Sequence, residues 1–306
     1  MRFATVQVGG KAHLGLLDGE HVFLFAPLAR LAARGRIRGR GASPVPDDLL
    51  AFIEHGSLAQ ARAALALGRS LLKAGKARDV ILPASKVRFL APIPRPRKNI
   101  VCLGRNYAEH AKESGGQVPT VPIFFTKPPT CVVGPGAAVV HHPVTEKLDY
   151  EVELAAIIGR RGRDIPESRA LAHVFGYTIM NDVTARDLQR RHEQWFKGKS
   201  LDTFAPMGPV VAHRSAIRDP QNLVLRLRVN GEQRQHASTR GMVFPVARII
   251  SVLSAGMTLE PGDIIATGTP EGVGMGMNPP VWLKPGDVME AEIEGIGVLR
   301  NPIVAP

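Results

Sequence analysis

The sequence has little cysteine, few aromatic residues and no long uninterrupted apolar run. Its two cysteines, Cys102 and Cys131, are far apart in apolar surroundings and lack the spacing of a zinc site, a redox pair or a disulfide framework. No stretch reaches the roughly 18 apolar residues of a membrane-spanning helix, and the first residues show no signal-peptide pattern. We therefore expect a globular cytoplasmic protein without a membrane partner, in which both cysteines are core thiols.

Positive charge is concentrated in the first third of the chain. Residues 1–99 contain 17 Lys and Arg against 6 Asp and Glu, which gives +11 of the chain's net +12. The densest part, ARLAARGRIRGRG at residues 29–41, could bind nucleic acid, but no aromatic residue is interleaved for base stacking. Its Leu and Ala spacing favours an amphipathic helix followed by a glycine-rich loop. A solvated arginine face, or attraction of small anionic substrates, is preferred over nucleic-acid binding, which stays a remote alternative.

The segment APIPRPRKN, residues 91–99, divides the chain, because its three prolines cannot continue a helix and are typical of a linker. Before it, residues 1–92 predict a small α+β domain with strands first and helices across residues 47–75. After it, short apolar runs punctuated by Gly and Pro predict a β-dominated domain over residues 97–306. Helical patterns in that domain lie near residues 105–115, 166–174, 184–194 and 244–254.

Carboxylates occupy alternate positions in DYEVELAAIIG, residues 149–159. In an extended chain Asp149, Glu151 and Glu153 share one face, where like charges repel. One interpretation is a solvated strand face that becomes fully buried at AAII. The other is a pair of oxygen ligands for a divalent cation, since coordination offsets the repulsion. This segment alone leaves both open.

A third carboxylate and a lysine follow further along. Asp182 stands between the apolar pattern GYTIMN and a helix-like stretch, which makes it a candidate metal ligand or a helix N-cap. Lys199 lies in WFKGKSLDTFAPMGP, close to an apolar, proline-rich turn. A lysine in that setting is ordinarily a surface residue.

Seven segments in order resemble the fumarylacetoacetate hydrolase family. They are GRNYAEHAKE, IFFTKPPT, DYEVELAAIIG, GYTIMNDVTARDLQ, WFKGKSLDTFAPMGP, ATGTPEGVG and LKPGDVMEAEIEGIGVLRN. The resemblance extends from Arg97 to the C-terminus and is much weaker before it. It implies an α+β protein whose residues 97–306 form a mixed β-roll with peripheral helices, behind the small N-terminal domain. It also implies a homodimer.

The resemblance assigns roles to individual residues. It implies that Glu151, Glu153 and Asp182 bind Mg²⁺ or Mn²⁺, whereas Asp149 does not touch the metal. Lys199 matches a catalytic lysine that neutralises an enolate or oxyanion beside the metal. The positions that match substrate-binding residues are Arg105, Lys127, Arg186, Gln189 and Thr269.

His110 and Glu113 form an H-x-x-E pair on a predicted short helix. Because they are one turn apart, Glu113 can orient the imidazole and hold it as a base for water. By itself such a pair is typical of a polar helix surface. In the family this segment is a lid, and Gly115 and Gly116 would supply its hinge.

The resemblance implies an enzyme that acts on a small anionic 2-oxo acid through a metal-stabilised enolate. The intact His110 and Glu113 pair favours hydrolysis of a C–C bond in an acylpyruvate-like 2,4-diketo acid. The same enolate could instead arise by decarboxylation of an oxaloacetate-type acid, or be reprotonated elsewhere in a 2-hydroxy-dienoate isomerisation. The resemblance predicts the enolate chemistry better than it predicts which of these reactions occurs.

Overall fold

The computed structural model describes residues 1–33, 45–76 and 79–306. The predicted glycine-rich loop of the arginine-rich segment, residues 34–41, lies outside the described residues, whereas residues 29–33 end a helix. Within the described part, no helix combines the length and the apolar character that crossing a membrane requires.

Nineteen β-strands are present in the described residues. They are β1 (Arg2–Val8), β2 (Lys11–Asp18), β3 (His21–Leu24), β4 (Ile81–Pro83), β5 (Arg88–Leu90), β6 (Ile100–Gly104), β7 (Ile123–Lys127), β8 (Val132–Val133), β9 (Val139–Val140), β10 (Leu148–Asp149), β11 (Val152–Ile158), β12 (Val174–Asn181), β13 (Thr184–Ala185), β14 (Ala205–His213), β15 (Val224–Val229), β16 (Glu232–Ser238), β17 (Ile264–Ala266), β18 (Val288–Ile293) and β19 (Gly297–Val304).

The described residues also form eight α-helices. They are α1 (Phe25–Ala33), α2 (Leu49–His55), α3 (Leu58–Lys73), α4 (Ala108–Glu113), α5 (Glu167–Ala170), α6 (Arg186–Arg191), α7 (Phe196–Lys199) and α8 (Val246–Ser254). Side chains cap two of them, since Asp48 accepts from the Ala51 N–H and Ser57 from the Ala59 N–H. The helices predicted within residues 97–306 are confirmed as α4, α5, α6 and α8, whereas α7 was not predicted.

The strands form mixed, open sheets. The large sheet has the order β4-β3-β2-β1-β14-β12-β11-β17-β6-β7, with β5 beside β1 and β8 beside β14. A second sheet has the order β16-β15-β18-β19-β9, and β10 pairs with β13. Parallel pairings, such as β17 with β6, occur among antiparallel ones. No sheet of the described residues closes into a barrel, and the helices lie at the periphery, as the predicted fold class requires.

The N-terminal segment shares the large sheet with the rest of the chain. Strand β1 pairs antiparallel with β14, with Phe3 opposite Val211. The ring of Phe3 also packs against that of Phe175, with centroids 5.2 Å apart, and one hydrophobic core includes residues from both segments. The division into residues 1–92 and 97–306 stays a prediction, and any boundary between them crosses a continuous sheet.

Strands β11 and β12 lie near the middle of this sheet and are buried along their whole length. They are antiparallel, with Val152 opposite Asn181. A strand covered on both faces has a continuous apolar sequence rather than an alternating one, which accounts for the run LAAII. One end of this strand pair carries the carboxylates of the candidate site.

Candidate active site

The register of β11 and β12 brings the three predicted metal ligands together. Glu153 is on β11, Glu151 directly precedes this strand, and Asp182 directly follows β12. The Asp182 N–H donates to the Glu151 carbonyl oxygen at 2.8 Å, which fixes the two residues side by side. One carboxylate oxygen from each of the three lies within 4.8 Å of the others, and all three residues are buried. The alternation in DYEVEL therefore presents two carboxylates to a third across the strand pair.

The donor set fits a hard divalent cation. All three groups are carboxylates, the oxygen ligands that Mg²⁺ and Mn²⁺ take in proteins. Glu153 Oε2 accepts the Gly268 N–H at 2.8 Å, but its Oε1 is buried without a hydrogen-bond partner among the described residues. Burial and the charges of Asp182 and Glu151 raise the pKa of Glu153 well above its ordinary value. An unpaired oxygen in a cluster of like charges is what a bound cation would complete.

Two buried lysines neutralise part of this cluster. Lys199 Nζ donates to Glu151 Oε2 at 2.8 Å and to Asp182 Oδ2 at 2.7 Å. Lys127 Nζ donates to Asp182 Oδ1 and, at 3.0 Å, to the Val183 carbonyl oxygen. Taken alone, the segment around Lys199 suggested an ordinary surface lysine. That expectation is wrong, because the residue is 2% exposed.

The ion pairs determine the protonation of these groups. Burial opposes ionisation of Glu151, but the charges of Lys199 and Arg186 outweigh it and lower the pKa of Glu151 to about 2. Burial likewise opposes the charge on Lys199, but Asp182 and Glu151 raise the pKa of Lys199 above its ordinary value. Lys199 is therefore an ammonium and Glu151 a carboxylate, so the lysine acts as a cation and a donor rather than as a base.

Asp149 lies outside the cluster of three carboxylates and binds the residues around it. Its Oδ1 accepts the Gly274 N–H at 2.7 Å, and its Oδ2 accepts the Met275 N–H at 3.1 Å and Arg186 Nε at 2.8 Å. With both oxygens occupied, it is not among the three carboxylates that converge. Arg186 then reaches Glu151, with its Nη2 2.7 Å from Oε1.

His110 and Glu113 are joined as their spacing predicts. Both are on the six-residue helix α4, and His110 Nδ1 lies 3.2 Å from Glu113 Oε2. Glu113 Oε1 accepts the Gly272 N–H at 2.9 Å, which ties the helix to the TGTPEGVG loop. Gly276 lies so close to the Glu113 carboxylate that a Cβ there would stand 2.1 Å from it. The pair is therefore held against this loop instead of forming part of a free helix surface.

One cavity of about 300 Å³ brings His110 together with Glu151, Arg186 and Lys199. Its lining consists of Leu103, Gly104, Arg105, His110, Ser114, Phe125, Glu151, Arg186, Gln189, Arg190, Glu193, Trp195, Lys199, Thr269 and Met275. Four of the five predicted substrate-binding residues are among them. Lys127 is not, because it is fully buried beneath Asp182.

A family model for the C-terminal domain of fumarylacetoacetate (FAA) hydrolase matches residues 99–304. The chain belongs to the fumarylacetoacetate hydrolase family. Membership places it among enzymes that are generally metal-dependent, in agreement with the buried carboxylate cluster. The matched range coincides with the region in which the seven motifs occur.

Relatives within the fumarylacetoacetate hydrolase family cover most of the chain. It is 54% identical over 222 residues to oxaloacetate tautomerase YisK of Bacillus subtilis (strain 168), which covers 72% of this chain and 74% of that protein. It is 44% identical over 264 residues to human mitochondrial oxaloacetate tautomerase FAHD2A, with 85% and 81% covered. The structure of fumarylacetoacetate hydrolase EaFAH from Exiguobacterium antarcticum matches over the full length of both chains, with a TM-score of 0.80 and 41% identity.

Several residues of this family site were missed in the sequence. Gln235 is buried on β16, accepts the Val152 N–H at 3.0 Å and donates to Thr269 Oγ1 at 2.9 Å. Trp195, the first residue of WFKGKSLDTFAPMGP, lines the cavity. Asn106 accepts the Phe244 N–H and donates to the Thr267 carbonyl oxygen. Asn106 and Trp195, which lie within two of the seven motifs, carried a sequence signal, whereas Gln235 carried none.

Proposed function

We propose that the protein is a Mg²⁺-dependent oxaloacetate tautomerase that interconverts the enol and 2-oxo forms. One observation carries the proposal: His110, the Lys199 ammonium and Glu151 of the carboxylate cluster line a single cavity of about 300 Å³. An imidazole that can move a proton thus faces the groups that stabilise the charge of an enolate. The identity with two proteins named oxaloacetate tautomerase supports the choice of substrate.

Glu151, Glu153 and Asp182 would hold the cation. Bound there, Mg²⁺ would supply Lewis acidity towards a 2-oxo acid, polarising its carbonyl. The choice of Mg²⁺ or Mn²⁺ rests on the oxygen-only donor set.

Lys199 is placed to stabilise charge on the 2-oxo oxygen. An ammonium group has three hydrogens, of which Glu151 and Asp182 accept two. The remaining hydrogen is available to the oxygen that gains charge when the 2-oxo acid enolises. Because the ammonium is already fixed between two carboxylates, it stabilises this charge without reorganisation.

His110 is placed to move the proton at C3. Its Nδ1 lies beside Glu113, so its Nε2 is the nitrogen that can exchange a proton with the substrate. Glu113 keeps the ring oriented, since its other oxygen is bound by the Gly272 N–H. Tautomerisation then requires one proton added or removed at C3 and one at the 2-oxo oxygen, with no bond between heavy atoms broken.

Hydrolysis of an acylpyruvate-like diketo acid is the second candidate. The His110 and Glu113 pair favours it, because the same imidazole could take a proton from water that attacks a 4-oxo group.

The homodimer and the cytoplasmic location stay predictions from the resemblance and the sequence.

The test supplies enol oxaloacetate, acetylpyruvate and fumarylpyruvate to the Mg²⁺-loaded protein and follows the enol absorbance and the products. We expect fast loss of the oxaloacetate enol without release of CO₂, and a decrease of roughly 10²-fold in His110→Ala. His55→Ala, which changes a histidine side chain that is 76% exposed, is the control and keeps the full rate. Cleavage of the diketo acids without accelerated tautomerisation would contradict the proposal and favour a hydrolase. Release of CO₂ at the rate of enol loss would contradict it and favour a decarboxylase.

A further inference from the structure

Three arginines line the cavity, and two of them, Arg186 and Arg105, differ in how far their guanidinium groups are already bound. Arg186 is 3% exposed, and its guanidinium is used by Asp149, Glu151 and Gln189. Arg105 lines the same cavity, is half-buried, and forms no ion pair or side-chain hydrogen bond with any described residue. A guanidinium presents five N–H donors in a fixed fork that matches a carboxylate. Of the two, Arg105 is the one whose guanidinium donors are all free of side-chain partners among the described residues.

The position of Arg105 is set by its neighbours. Its guanidinium carbon lies 5.9 Å from the centroid of the Trp195 ring, a cation–π distance. On another side is Gly116, where an added Cβ would stand 2.6 Å from that carbon. The backbone of Arg105 is left-handed, with φ 55°, an uncommon conformation for a residue with a side chain. Packing therefore holds the free guanidinium in one place, which lowers the entropy cost of binding a ligand.

We propose that Arg105 binds the second carboxylate of the substrate, the one farther from the carboxylate cluster, and so selects dicarboxylic 2-oxo acids over monocarboxylic ones. This rests on the proposed function. Arg186 is less available for that second carboxylate, because its guanidinium already contacts Asp149 and Glu151. The cavity also contains Glu193 and Arg190, but Arg190 is exposed and its Nη2 contacts only the sulfur of Met275, at 3.3 Å.

The test measures binding, so that it does not depend on turnover. Malate and 2-hydroxybutanoate are unreactive ligands of the same length that differ by one carboxylate in place of a methyl group. Isothermal titration of the Mg²⁺-loaded protein gives the affinity for each. In Arg105→Met we expect malate affinity to fall roughly tenfold to hundredfold, the range of a charge-assisted hydrogen bond, while 2-hydroxybutanoate affinity changes by less than about twofold.

Two further variants sharpen the result. Arg190→Met removes a charge from the same cavity and is the matched control, with an expected loss of malate affinity under about threefold. Gly116→Ala keeps every charge but displaces the Arg105 guanidinium, so it should weaken malate selectively. Equal losses for both ligands in Arg105→Met, unchanged malate binding in either Arg105→Met or Gly116→Ala, or a larger selective loss in Arg190→Met would overturn the proposal. A tautomerase rate measured on the same preparations separates this outcome from failure of the proposed function.

Discussion

At the inner end of the cavity three buried carboxylates are matched by two buried lysines and Arg186, whereas at the outer end Arg105 and Arg190 form no ion pair with any described residue. The inner end comprises Glu151 and Lys199, which line the cavity, and the adjacent Glu153, Asp182 and Lys127, which do not. The outer end comprises Gly104, Arg105, Arg190 and Trp195. The inner side chains are 5% exposed or less, but Arg190 is exposed and Arg105 is half-buried.

This contrast follows from the cost of burying charge. A charge removed from water must be paired or coordinated, so two of the buried carboxylates of the inner end are paired with Lys127, Lys199 and Arg186. At the outer end water can solvate a guanidinium until a ligand replaces it. The inner carboxylates lie on or beside β11 and β12, which are buried throughout, while the outer residues lie mainly on loops and short helices. The inner end thus suits the shared enolate chemistry, and Arg105 at the outer end suits substrate selection.

The largest expected effect comes from removing a ligand at the inner end. Glu153→Gln should weaken Mg²⁺ binding roughly 100-fold or more and abolish turnover, because an anionic ligand becomes neutral. The metal-free variant should keep its fold. Glu153 has one unpaired oxygen and a pKa well above its ordinary value, and a neutral amide resembles the uncharged carboxylic acid. Isothermal titration with Mg²⁺ measures the first effect and urea unfolding the second.

Glu151→Gln is the matched variant. It should lose Mg²⁺ binding too, but it should also lower the free energy of unfolding by about 3 kcal/mol, because Lys199 and Arg186 lose a buried counter-charge. Undiminished Mg²⁺ binding in the double variant would show that these carboxylates are not the metal site.

Lys199→Met should separate catalysis from metal binding at the same end. Turnover should fall roughly 10² to 10³-fold, the range for removing one preorganised donor to an oxyanion. Mg²⁺ affinity should not fall, because the variant removes a cation from beside the carboxylates. Lys112→Met, at an exposed lysine of α4, is the control with unchanged turnover. A loss of Mg²⁺ binding as complete as in Glu153→Gln would mean that Lys199 organises the metal site instead.

The inner end could be predicted from the sequence because short segments carry it. Alternation in DYEVEL and the strand-to-turn position of Asp182 are local patterns, and the order of the motifs indicated the family. The strand register that joins them has a simple consequence, since Val152 opposite Asn181 places Asp182 beside Glu151. Burial of Lys199 could not be predicted locally, because it depends on partners 48 and 17 residues away along the chain.

The outer end could be predicted only in part, because packing between distant segments forms it. The resemblance named Arg105 and Arg186 alike as substrate-binding residues, and only the contacts distinguish an occupied guanidinium from a free one. Trp195 can line the cavity because Gly104 has no side chain to collide with its ring. The two residues are far apart in the sequence, so no periodic pattern predicts this contact. Likewise, the linker signal at residues 91–99 could not indicate that β1 continues the sheet of β14.

The smallest expected effect tests the outer end through a single methyl group. A Cβ on Gly104 would lie 2.1 Å from Cζ3 of Trp195, so Gly104→Ala must move an indole that packs edge-on against Phe125, with centroids 5.4 Å apart. Arg105, which rests on that indole, should shift with it, raising the KM for oxaloacetate by roughly threefold to tenfold, or about 1 kcal/mol. Mg²⁺ affinity should stay unchanged. Gly241→Ala, whose Cβ would approach no atom closer than 3.3 Å, is the control. If Gly104→Ala weakened Mg²⁺ binding as much as it raised KM, the two ends of the cavity would be coupled rather than separate.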